Sequence, residues 1–152
     1  MTIQGMLAFV QRGYDAYNAH QTDPHWLDYA DTDVAEECEV VDVPSGMVLR
    51  GPEGMKQFLL LFSTAFPDSY GEVTAMFAGE DHAVVEVILH GTHTGDLRSA
   101  AGDLPPTGRR VALHACEVFQ VKDQKITRHA TYYDALSFMQ QLGVLPAAEV
   151  KQ

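Results

Sequence analysis

From Ile3 to Tyr17 the apolar side chains recur every three or four residues, and after Tyr70 that rhythm gives way to paired extended runs. This change of period constrains the fold more than any other feature of the chain. Ile3, Met6, Leu7, Val10, Tyr14 and Tyr17 form one stripe of a helix. Asn18 to Thr22 interrupts it. Asp23 has the character of an N-cap with Pro24 at the first helical position, which predicts a short second helix through Trp26, Leu27 and Ala30. Val34 to Val43 reads as a strand, and Pro44-Ser45-Gly46 as a turn. Pro52 opens a third helix with Met55, Phe58, Leu59, Phe62 and Phe66 on one face, closed by Pro67-Asp68. Tyr70–Phe77 and His82–His90 predict one hairpin, and Arg109–Val121 with Lys125–Tyr133 a longer one. Gly91 to Gly108 reads as loop. Asp134 is placed to cap a last helix, Ala135 to Leu142, ended by Gly143. Helices followed by mainly antiparallel strands make an α+β pattern. A sheet with helices on one face must bend to enclose space, and that hollow is the natural ligand cavity.

Charge and motifs remove several functions. The net charge is −11, with no basic stripe to meet phosphates, so a nucleic-acid partner is not expected. The acidic run Asp31, Asp33, Glu36, Glu37, Glu39 and Asp42 reads as a solvated face, although Glu36 has an inward alternative. No apolar run is long enough for a bilayer, and no signal-peptide pattern opens the chain, so the expectation is a cytoplasmic protein without membrane contact. Cys38 and Cys116 stand apart, outside any CxxC pair, and read as small buried residues. His90 and His93 flank the Gly91-Thr92 step without an evident third ligand. They read as exposed loop residues, and no metal site is expected. Phosphate-loop, dinucleotide and GxSxG motifs are missing.

The strings LRGPEGMKQFL (49–59), FSTAFPD (62–68), GTHTGDL (91–97), PPTGRRV (105–111) and YYDALSFMQQLG (132–143) occur in an order and spacing that resembles the SnoaL-like family of the nuclear-transport-factor-2-like superfamily. The resemblance implies one domain over residues 1–145, with 146–152 as a tail. It implies a cone-shaped, cystatin-like fold in which a curved antiparallel sheet packs on N-terminal helices around an apolar cavity. It also implies a homo-oligomer, dimer or tetramer. Family polyketide cyclases close a ring by intramolecular aldol chemistry, without metal or organic cofactor, using an Asp near the end of the last strand. Matching the QLG ending and the PPTGRR string places that Asp at Thr131. A family His falls at Glu117, a second is kept as His129, and a first-helix aromatic residue falls at Tyr17. Asp134 matches the family Asp that starts the final helix.

The last hairpin decides which groups meet. A two-residue loop, Asp123-Gln124, sets Glu117 opposite Ala130. A three-residue loop with a bulge sets it opposite His129, and this register is the preferred one. Family members often carry Gly where Gln124 stands, as a left-handed position favours. One face then carries Ala115, Glu117 and Phe119 beside Thr127, His129, Thr131 and Tyr133. The other carries His114, Cys116 and Val118 beside Ile126, Arg128, Ala130 and Tyr132. His129 and Glu117 are the candidate catalytic pair, an imidazole that exchanges a proton and a carboxylate that orients it. The bland reading of the same pair is a cross-strand contact that fixes register. Tyr17, Tyr14, Thr131, Trp26 and Asp134 are candidate substrate-binding residues, with Trp26 over the cavity mouth. Tyr14 and Tyr17 have a core alternative, and Asp134 a capping one. The expected partner is a small, mostly apolar organic molecule, and the expected function is cyclase-like or isomerase-like proton transfer. Hydration or hydrolysis also fits such a site. A threonine hydroxyl is a poor base, so Thr131 favours the alternative of a non-catalytic ligand-binding domain. A structural or oligomerisation domain, with the hollow filled by side chains, is a third possibility.

Overall fold

The computed structural model of the chain describes residues 1–99 and 102–146. Helix α1, Ile3–Asn18, starts where the Thr2 hydroxyl accepts the Gly5 N–H at 2.9 Å, and it buries Met6, Val10 and Tyr17. The residues that follow do not form the predicted helix. Asp23 does accept the His25 N–H at 2.9 Å. The backbone then closes i→i+3 bonds, Trp26 to Asp23 and Asp28 to His25, so 24–28 are successive turns. The α-helix α2 is only Tyr29–Asp33.

Strand β1, Val34–Asp42, pairs with a four-residue strand the sequence reading missed, β2, Met47–Arg50. Helix α3, Gly51–Ala65, has Pro52 in its first turn. Gly51 adopts φ +69°, and a Cβ there would sit 3.0 Å from the Glu36 carbonyl. Strands β3 (Tyr70–Ala78), β4 (His82–Thr92), β5 (Arg110–Lys122) and β6 (Lys125–Tyr133) follow, then α4, Ala135–Gln141. Between β4 and β5, Leu97 bridges to Leu104.

The strands form a curved, unclosed six-stranded sheet in the order β2-β1-β6-β5-β4-β3. Every pairing is antiparallel except β1 with β6, which run parallel. Helices α1 and α3 cover the inner face, α1 over β3 and β4, α3 over β1 and β2. Two apolar clusters result. Met6, Val10, Val34, Cys38, Val40, Met55, Phe58, Val85, Phe119 and Ile126 fill the larger one. Phe66, Val111, Leu113, Phe138 and Leu142 fill the smaller one under α4. The predicted tail, beyond residue 146, lies outside the described residues.

The last hairpin corrects the preferred register. Lys122 pairs with Lys125 across a two-residue loop, where Asp123 (φ 51°) and Gln124 (φ 60°) are both left-handed. A bulge between Gln120 and Val121 then shifts the ladder. Glu117 therefore faces Thr131, and Phe119 faces His129. The error is an even number of residues, so the faces of Glu117, His129, Thr131 and Tyr133 are unchanged. Ile126 is the exception. It pairs with Val121 and is buried inside, and Thr127 becomes the extra residue at the bulge.

Candidate functional site

The inner face and the covering helices leave a pocket of about 100 Å³. Its walls are mostly apolar: Val87, Leu89, Leu113 and Phe119 from the sheet, Phe58, Leu59 and Phe62 from α3, and Phe9 and Val10 from α1. The polar groups on the wall are few. They are Tyr14, Tyr17, Tyr29, Asp33, Glu117, His129, Thr131 and Tyr133.

Three of these make one chain of contacts. The Tyr14 hydroxyl donates to Glu117 Oε1 at 2.7 Å. Glu117 Oε2 lies 2.8 Å from His129 Nε2. A carboxylate only accepts, so Nε2 carries the hydrogen. The His129 ring lies flat on Phe119, centroids 4.4 Å apart at 16°, and meets the edge of Phe58 at 5.6 Å. The ring is fixed by packing as well as by its hydrogen bond, and its Nδ1 is buried with no partner among the described residues.

Burial pushes the Glu117 carboxyl up, but the His129 imidazole and the Tyr14 and Thr131 hydroxyls outweigh it and hold it below its ordinary 4.5. Tyr14 moves the other way. Burial first, and then the Glu117 charge, push its phenol well above 10, so it stays a donor. Burial also raises Tyr29, with Glu117 and Asp33 adding to the effect.

Tyr17 lies on the same wall, with its hydroxyl 2.7 Å from Ser69 Oγ, and burial pushes it up to about 12. Trp26 does not line the pocket. Because 24–28 turn away from a helical path, it packs edge-on behind Tyr17 at 5.6 Å and against His20 at 5.7 Å. Asp134 is also off the wall; it is exposed and caps α4 by accepting the Ser137 N–H at 3.1 Å. Thr131 is buried on the wall between two carboxylates, facing Glu117 on β5 and Asp42 on β1.

Several neighbours escaped the sequence reading. Asp33 and Asp42 belong to the acidic run expected in solvent, yet both are buried. Asp33 of α2 is ion-paired to Arg12 of α1. Asp42 Oδ2 accepts from Ser45 at 2.7 Å and from Tyr133 at 3.0 Å. Glu36 and Glu37 are exposed as expected. His93 is not an exposed loop residue. It is fully buried against Phe66, and its Nδ1 accepts the Thr107 N–H at 3.1 Å. His90, at the edge of β4, stacks on Tyr70 at 4.8 Å and pairs with Glu72 at 2.8 Å. Among the described residues no three His, Cys, Asp or Glu side chains gather as metal ligands, and no helix is long and apolar enough to cross a membrane.

A bent sheet wrapped by two helices, with its few polar groups turned into an apolar hollow, defines a protein of the nuclear-transport-factor-2-like fold class. The model of the SnoaL-like polyketide cyclases matches residues 9–142, and the chain belongs to that family. Aklanonic acid methyl ester cyclase DnrD of Streptomyces peucetius is 28% identical over 140 residues, 88% of either chain. A structure from Jannaschia sp. CCS1, put forward as a SnoaL-like polyketide cyclase, superposes with a TM-score of 0.81 at 19% identity over 95% of each chain. A protein from Catenulispora acidiphila DSM 44928 with a ketosteroid isomerase-like fold superposes at 0.64 with 19% identity, over 85% of this chain and 90% of that one.

Proposed function

We propose that the pocket is a small-molecule site in which His129, oriented by Glu117 and Tyr14, moves a proton on a small, mostly apolar carbonyl compound. The chemistry is cyclase-like or isomerase-like acid–base catalysis by side chains alone. The observation that carries this reading is the buried Tyr14–Glu117–His129 chain ending at an imidazole nitrogen with no partner among the described residues. In the neutral ring Nδ1 is the basic atom. It takes the proton from the carbon beside the substrate carbonyl, and the C–H electron pair becomes an enolate. Glu117 stabilises the imidazolium that results, as the acidic member of a hydrogen-bonded triad does. In a ring closure the enolate carbon bonds to a second carbonyl carbon of the same molecule, and Nδ1–H returns the proton to the new alkoxide. In an isomerisation the proton returns to a different carbon. Either sequence balances without a co-reactant. The cyclase DnrD, whose name gives an aklanonic acid methyl ester as its compound, supports an ester among the candidate substrates.

Proton abstraction can be read directly. Cyclohexanone and 2-tetralone, incubated with the protein in deuterium oxide, should exchange their α-hydrogens faster than in buffer, as followed by proton NMR. His129→Phe should remove the acceleration and Glu117→Gln should reduce it. An unchanged rate in His129→Phe overturns the assignment of the base.

A second reading, ligand binding without chemistry, draws on two observations. Both Glu117 oxygens already have donors, and the pocket of about 100 Å³ is smaller than the roughly 300–1,000 Å³ usual for ligand sites. It predicts ketones that bind and return unexchanged. The proposal extends to self-association through the outer sheet face, where Phe77 and Tyr132 are exposed. It extends also to a cytoplasmic location.

A further inference from the structure

Thr131 is flanked on the inner face by Glu117 on one neighbouring strand and Asp42 on the other. The Glu117 side is the site described above. The Asp42 side has its own wiring. Asp42 is only 8% exposed, and its Oδ2 accepts from both Ser45 Oγ and the Tyr133 hydroxyl. Its Oδ1 is buried and has no donor among the described residues. Tyr133 lines the pocket, and its ring is braced edge-on by Phe138 at 6.0 Å. Burial raises the Tyr133 phenol, and the Asp42 charge adds to it, so the proton stays on the hydroxyl.

We infer that Tyr133 and Asp42 form a second pole of the pocket, one that accepts hydrogen bonds, so the ligand carries a hydroxyl donor remote from the carbonyl at His129. Tyr133 is the binding residue and Asp42 positions it. The reasoning is one of donors and acceptors. The only hydrogen on the Tyr133 oxygen is committed to Asp42, which leaves that oxygen its lone pairs. Tyr133 lines the pocket, so a ligand hydroxyl there donates to those lone pairs, a contact that an ether or a bare ring cannot make. His129 and Tyr133, four residues apart on β6, bond to Glu117 and Asp42, whose strands lie about 10 Å apart. A ligand meeting both poles spans one ring with oxygen functions at opposite ends. The inference rests on the pocket being a ligand site and does not need the proton transfer.

Calorimetric titration of three para-related ligands tests it. 4-Hydroxyacetophenone places a donor opposite the ketone, 4-methoxyacetophenone places an acceptor there, and acetophenone places nothing. The wild-type protein should bind the hydroxy compound about tenfold more tightly than either other ligand, the worth of one good hydrogen bond. Tyr133→Phe should bring the ratio to near one, and Asp42→Asn should lower it, with thermal melts confirming that both variants fold. A merely structural role for Asp42 would leave the ratio unmoved. Equal affinities in the wild type, a preference for the methoxy compound, binding of none of the three, or a ratio that survives Tyr133→Phe overturns the inference. A tenfold ratio lost in Tyr133→Phe upholds it whether or not ketone α-hydrogens exchange, so the two readings fail separately.

Discussion

The Tyr14 hydroxyl on α1 reaches Glu117 Oε1 on β5 at 2.7 Å, joining residues 103 positions apart. This bond pins the first helix to the middle of the sheet at the candidate site. Tyr14→Phe removes the donor and leaves one oxygen of a buried carboxylate unmet. The expected cost is about 1.5–3 kcal/mol, the range for a hydrogen bond to a charged group. Urea unfolding of the two proteins measures it, and equal midpoints would show that the bond does not hold in solution.

Acid should find Glu117. Its folded pKa lies below the ordinary 4.5, so its contribution to stability is complete above that value. The contribution drains away as pH falls through the lower, folded value. Other carboxylates share this limb, so the informative quantity is a difference. Wild-type stability minus that of Glu117→Gln should shrink as pH goes from about 6 to about 3, and a difference independent of pH contradicts the assignment.

His93 governs a separate window. Burial holds its pKa below the ordinary 6.5, because protonation would put a charge between Phe66 and Thr107. A base with a lowered folded pKa stabilises the protein fully above 6.5 and loses that contribution as pH falls below it. Thr107 N–H donates to Nδ1, so protonation also ejects this donor. Melting temperatures should therefore drop on moving from about pH 7 to about pH 5 in the wild type, and drop less in His93→Phe. Parallel curves for the two proteins would sink the idea.

The Asp123-Gln124 turn carries removable strain. Gln124 sits at φ 60°, where a side chain is disfavoured and glycine is at ease. Gln124→Gly converts the loop to the Asp-Gly pair suited to this hairpin and should raise stability by about 0.5–1 kcal/mol, net of glycine's extra freedom when unfolded. A loss of stability would mean that the bulge, and not the turn, sets the register.

The fold was legible because apolar period and turn chemistry agreed along most of the chain. β6 has the predicted ends, and Asp134 caps α4 as its position suggested. What the residues concealed had local causes. The bulge beside Val121 has no composition of its own, so Glu117 was set opposite the wrong neighbour, although on the correct face. Asp33 and Asp42 were hidden by their surroundings. Glu36 and Glu37, between them, are solvated; Asp42 turns inward at the end of β1, and Asp33 is buried at the end of α2. Asp42 also needs Tyr133 from the far end of the chain to explain its burial. Tyr14 and Tyr17 lie one turn apart on a single helical face, and periodicity cannot rank them; only the sheet behind shows that Tyr14 meets the carboxylate. Trp26 was misplaced because a Pro after a capping Asp served turns here and not a helix.

Parallel pairing of β1 with β6 sets the moment at which the pocket comes into being. Strands β3, β4 and β5 are sequential neighbours and can zip together while a ribosome is still making the rest. β1 emerges early and must wait, with only β2 for company, until β6 leaves the exit tunnel and fills the gap between β1 and β5. During that interval the edges of β1 and β5 are both open, and nascent chains crowded on one message are at their most prone to stick to one another.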